Sequence, residues 1–222
     1  MSISGENICP AYFSRRYGKS VVSGAALPQK SRLVNVPYTF MSPYRIDNRA
    51  YCPPVTDLGY STCGVVSVCS NSIGLTDWLS DGTFDEIDQV KVVEKLPCEG
   101  LPSVYDVLSA CVAVRGFGIG GRIYCVKSRM LDVKYAIHEF GAVVGCFGFS
   151  SEWYASVCGS SLISASSEST LTGLLAVALV CGYDGDGVWI QAPWGIDWGD
   201  FGISKMAWST FNRQFRYGVV AG

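Results

Sequence analysis

The chain has 222 residues with 17 basic and 19 acidic side chains, and a formal net charge of −2 supplies no cationic surface for gripping nucleic acid. Composition is 49% hydrophobic against 16% charged, enough apolar material for one large domain and so few charges that some apolar surface is expected to be covered by a partner. The longest apolar run, LLAVALVCGY at 174–183, is about half of the ~20 residues that cross a bilayer, which excludes a membrane-spanning helix there.

Residues 1–35 form an arm with five basic residues (Arg15, Arg16, Lys19, Lys30 and Arg32) against Glu6, and no apolar core of a signal peptide. An intracellular or particle-borne protein, a virion component among the options, is the expectation, with the arm held by other protein subunits. The segment STCGVVSVCSNSIGL (61–75) has helical apolar spacing and Ser61 or Thr62 to cap its start. An acidic loop (77–88) follows, then a helix over 101–114 with Pro102 near its start, closed by the Gly-rich loop 116–121. In the second half, 131–140 reads as a helix and 141–149 as a strand. After a Ser-rich loop (158–173), LLAVALVCGY, GVWIQA, FGISKM and FRYGVV read as four strands, with DGDG (184–187) turning the first hairpin. A helical half followed by a β half is an α+β arrangement.

Ten cysteines without an export signal read as reduced, buried thiols. No C-x-x-C pair occurs and His138 is the single histidine, so no zinc site and no other cofactor are expected.

The order of the pieces resembles the papain-like cysteine protease family from about residue 36 onward. YRIDNRAYCPPVTDLGYSTCGVVS is similar to that family's approach to its active-site helix, and PCEGLPSVYDVL to its Cys-Asn-Gly-Gly segment. KYAIHEFGAVVGCF is similar to its helix and Gly-Pro-Val, and AVALVCGYDGDGVWIQAPWGIDWGDFGI to its His-Ala-Val, Gly-Tyr, Asn-Ser-Trp-Gly and Trp-Gly finish. The resemblance implies a two-lobed fold, a helical lobe over about 36–125 packed against a twisted antiparallel sheet or barrel over about 126–222, with a cleft between.

In that family a thiolate sits at a helix N-terminus beside an imidazole that an asparagine orients, and a glutamine helps hold the oxyanion. Carried over, the nucleophile falls on Cys63, which keeps Ser67 and Gly74 in register; the glutamine falls on Leu58, the histidine on Ala176 and the asparagine on Ala192 beside Pro193. A second register pairs Cys63 with Cys98 as a structural disulfide and puts Val66 in the nucleophile's place. Both registers lack the base. The kept residues, Gly182, Tyr183, Trp194, Gly195, Trp198 and Gly199, are those that build the β lobe.

Three functions follow. The first is an inactive papain-like protein, not an enzyme, serving as a structural or interaction subunit of an assembly through its arm and an apolar cleft. The second is a cysteine hydrolase or transferase using Cys63 with Asp184 or water as base. The third is a module whose cleft holds an extended peptide uncut.

Overall fold

A computed structural model describes residues 21–22, 32–55, 61–83, 87–94, 111, 114, 122–150, 153, 162–163 and 171–221. The helix expected over 101–114, the loop 116–121, Leu58 and Cys98 lie outside these residues, apart from positions 111 and 114. In chain order the elements are β1 (Val21–Val22), β2 (Ile46–Asp47), α1 (Ser61–Asp81), α2 (Gln89–Glu94), β3 (Ile123–Val126), α3 (Met130–Phe140), β4 (Val143–Ser150), β5 (Leu162–Ile163), β6 (Leu171–Tyr183), β7 (Gly187–Gln191), β8 (Ile203–Ala207), α4 (Trp208–Gln214) and β9 (Phe215–Ala221). A turn of 3-10 helix over Arg49–Tyr51 follows β2. The architecture is α+β, as expected, and the sheet is open, in the order β3-β9-β4-β6-β7-β8-β5, not a closed barrel.

Strand β6 organises the molecule. One of its edges carries β4 and then β2, while β7 pairs with its C-terminal half and β1 with Leu175 and Ala176. Its side chains alternate between two cores with the period of two that a pleated strand imposes. Val177, Leu179 and Cys181 enter the core beneath α1, whereas Ala176, Ala178 and Val180 enter the aromatic core on the other face. A register shift between Val180 and Gly182 resets the parity, so Tyr183 joins the aromatic core.

Helix α1 runs on to Asp81, past the expected end at residue 75. Every residue from 64 to 75 is buried, so packing on all sides overrides the propensity cost of Gly74 and the stop signal of Asp77. Helix α3 buries Val133, Ala136 and Ile137 along one stripe. It ends at Gly141, whose φ of 78° favours glycine, and its last carbonyls are satisfied from outside. Thr76 Oγ1 donates to Phe140 O at 2.7 Å, and Asn48 Nδ2 to Gly141 O at 2.7 Å.

The aromatic core carries the sequence's Trp-Gly pairs. Trp198 stacks on Trp153 with centroids 6.1 Å apart and meets Trp194 edge-on at 5.3 Å. Its Nε1 donates to Trp153 O, and Trp153 Nε1 donates to Gln214 Oε1.

The entry segment is pinned by Asp47, which accepts from Arg49 Nε at 2.8 Å and from Arg45 Nη2 at 2.6 Å. The hydrogen bond from Arg49 chiefly holds its carboxyl far below the usual carboxylate range; burial opposes this and Arg45 adds to it. A lowered folded-state pKa means that the stabilisation is present above the unfolded value of about 3.9 and fades as pH falls through the lower folded value. Asp47→Asn is therefore expected to lower the urea midpoint at pH 7, and the gap from the parent chain should narrow progressively below about pH 4. A gap independent of pH would exclude ionisation of Asp47 as its source.

Candidate functional site

Cys63 lies at the start of α1, Ala176 on β6 and Ala192 just after β7, and Ala176 enters the aromatic core on the face of β6 away from α1. Cys63 is the third residue of α1, within the first turn, whose amide groups have no intrahelical acceptors and present the positive end of the helix dipole. Val66, the nucleophile position of the second register, is fully buried in the core beneath α1 and is chemically inert.

Ala176 and Ala192 are both fully buried and belong to the same aromatic core as Trp194 and Trp198. Ala176 lies in register opposite Phe147 of β4, where a small side chain makes room for the ring. Ala192 follows β7 directly, its N–H donating to Gly202 O at 3.1 Å. Gly182 stands in register with Asp47 on one side and Trp189 on the other, and Tyr183 OH is 3.1 Å from Ser42 Oγ. Gly195 and Gly199 have φ of 90° and 62°, and a Cβ on Gly199 would lie 2.2 Å from Ile203 O, so this turn accepts no other residue there without moving the chain.

Neither available base reaches this place. His138 sits on the exposed side of α3, 3.2 Å from Glu139 and edge-on to Phe40. It lines a cavity of about 270 Å³ with Thr76, Leu79 and Ser80, at least 13 residues along α1 from Cys63. At 1.5 Å per residue that is roughly 20 Å away along the helix axis. Asp184 lies eight residues past Ala176, roughly 26 Å along an extended strand. Burial works against its charge, but Lys205 Nζ at 2.7 Å and the amides of Asp186 and Gly187 outweigh burial and hold its carboxyl below the usual range. It is a turn anchor, not a base.

A polar bolt that no local pattern announces joins α1, β7 and the entry segment. Asn71 Nδ2 donates to Gln191 Oε1 at 2.9 Å, Gln191 Nε2 to Pro53 O at 2.8 Å, and Asn71 Nδ2 also reaches Pro53 O at 3.4 Å. Asn71 and Gln191 are each at most 4% exposed. The bolt therefore fixes α1, β7 and the entry segment to one another one residue before Ala192. Such contacts join single residues 120 apart and leave no local pattern in the chain.

Beside β6, the arm supplies β1, with Val21 opposite Ala176 and Val22 opposite Leu175 in antiparallel register. A strand from the chain itself thus occupies the β6 edge at Ala176.

No family model matches the sequence, and no curated protein matches it. Among solved structures, xylellain, a cysteine protease from Xylella fastidiosa, is similar with a TM-score of 0.70 and 14% identity over 94% of this chain and 98% of that one. A procathepsin L2 proteinase from the larval midgut of Tenebrio molitor has a TM-score of 0.73 at 14% identity, over 96% of this chain and 80% of that one. The recombinant stem bromelain precursor has a TM-score of 0.69 at 13% identity, over 99% and 80%. At this identity the likeness establishes the fold, which is papain-like. The expectation that the chain is not an enzyme is corrected by these neighbours, because the shared architecture is that of cysteine proteases throughout.

Proposed function

We propose that the chain is a slow cysteine hydrolase that takes an extended peptide or acyl-peptide along the edge of β6 in place of β1 and attacks it with the Cys63 thiolate. The observation that carries this reading is the pairing of β1 with Leu175 and Ala176, since it demonstrates within one molecule that this edge receives a strand by main-chain hydrogen bonding. Such an edge reads backbone in preference to side chains, so the substrate class is an extended polypeptide of loose sequence preference.

The chemistry is derived from what the residues can do. A thiolate needs no base at the moment of attack, only at its formation, and the first turn of α1 supplies a field that favours it. Attack of Cys63 Sγ on an acyl carbon forms a thioester and releases the leaving group, which takes its proton from water because His138 and Asp184 are remote. Losing one member of a nucleophile–base pair commonly lowers turnover by 10³ or more. Poor leaving groups such as amides are therefore slow, and activated esters or thioesters are favoured.

The test is incubation of the full chain with a peptide thioester, followed by intact-mass and peptide mapping. The expected result is one acyl group on Cys63, slow release of free acid, and loss of both in Cys63→Ala. Binding without acylation of Cys63 would overturn the hydrolase reading.

A further inference from the structure

Cys52 and Cys181 form a second thiol site, unconnected with Cys63. Cys181 is the residue of β6 just before Gly182, wholly buried, and its carbonyl accepts from Asn48 N at 3.1 Å. Cys52 closes the 3-10 turn after β2, is partly exposed and packs against the core that contains Cys181. Both residues meet the Asn48 backbone: Cys52 Sγ lies 3.5 Å from Asn48 O and Asn48 N donates to Cys181 O, while Cys181 Sγ lies 3.7 Å from Trp189 O. Both are free thiols in this structure. Asn48, next to the Asp47–Gly182 pair, thus ties the turn that carries Cys52 to Cys181, and both side chains meet the same core.

We infer that Cys52 and Cys181 are a reversible disulfide site that clamps the entry segment to β6 under oxidising conditions. Cys52 is the partner that solvent reaches. With glutathione disulfide as oxidant, the Cys52 thiolate attacks one glutathione sulfur, forming a mixed disulfide and releasing one glutathione thiolate. Cys181 then loses its proton to solvent, attacks Cys52 Sγ and releases the second glutathione; the two protein thiols are oxidised by two electrons and the glutathione disulfide is reduced to two thiols. The hydrogen bond with Cys52, together with burial, pushes the Cys181 thiol well up, which makes the second step the slow one.

The clamp acts on a particular place. Pro53, the residue after Cys52, offers the carbonyl that receives both Gln191 and Asn71. Oxidation would therefore stiffen the point where α1, β7 and the entry segment meet. The pair Cys69 and Cys111 supplies an internal comparison: their sulfur atoms are 3.3 Å apart, but both residues are at most 2% exposed, so an oxidant in solution does not reach them.

The experiment is treatment of the native full chain with glutathione disulfide, followed by non-reducing peptide mapping and thermal melting. The expected result is a linked Cys52–Cys181 peptide pair, two mass units lighter than the separate thiols, formed before any Cys69–Cys111 link. Closing a loop of that length should raise the melting temperature by roughly 5 °C or more, reversed by dithiothreitol. Cys52→Ser and Cys181→Ala should each abolish the link and the shift, and Cys63→Ala should leave both intact. Stable glutathione on Cys52 without transfer to Cys181, or Cys69–Cys111 oxidising first, would overturn the assignment.

Discussion

Trp198→Ala is expected to lower the stability of the chain by about 4 kcal/mol, on the order of what truncating a buried tryptophan costs. The ring is completely buried, stacked on Trp153 and edge-on to Trp194, and it donates to a backbone carbonyl that would lose its partner. A domain of this kind has roughly 5–15 kcal/mol in total, so the variant should sit near the limit of folding at 37 °C. Urea denaturation followed at 25 °C checks this through the midpoint, and a loss under about 1 kcal/mol would mean that the aromatic core re-forms around the gap. The same measurement explains why the Trp-Gly pairs stand in the chain, since their contribution is to the β lobe and not to the reaction.

The second large effect concerns the two alanines. Ala176→His places an imidazole in a core that already seats Phe147 opposite, and a buried ring without a partner should cost about 2–3 kcal/mol. Adding Ala192→Asn, from the same core, gives the imidazole a hydrogen-bonding partner, so the double variant should recover at least about 1 kcal/mol of that loss. The rate of Cys63 acylation should stay unchanged, because residue 176 enters the core on the face of β6 away from α1. Denaturation of both singles and the double forms a complete cycle. Strictly additive stabilities would mean that the two side chains do not meet in the aromatic core.

Much of this architecture was legible because it is carried by local patterns. The run 174–183, the DGDG turn and the alternation around residues 203–206 announce β6, β7 and β8, and counting back from Gly182 and Tyr183 leads to Ala176. Other features are set by tertiary packing and left no trace. Helix α4 is seven residues long with weak helical propensity, and it forms because Phe211 and Gln214 fit the aromatic core. Strands β1 and β2 have two residues each, too few for any periodicity. Helix α1 passes its expected end because its surroundings bury it, and the Asn71–Gln191–Pro53 bolt arises only once distant segments meet.

The most direct measurement is the rate of carbamidomethylation of each cysteine by iodoacetamide in the native chain at pH 7, followed by mass spectrometry. Cys52, partly exposed and away from any helix N-terminus, is the internal standard for an ordinary accessible thiol. The account predicts that Cys63 reacts at least about tenfold faster than Cys52 and keeps that lead as pH is lowered toward 6, as a thiol held toward the thiolate by a helix terminus should. Labelling of Cys63 at or below the rate of Cys52 would contradict it, because a thiol no more reactive than a surface cysteine cannot carry the reaction proposed.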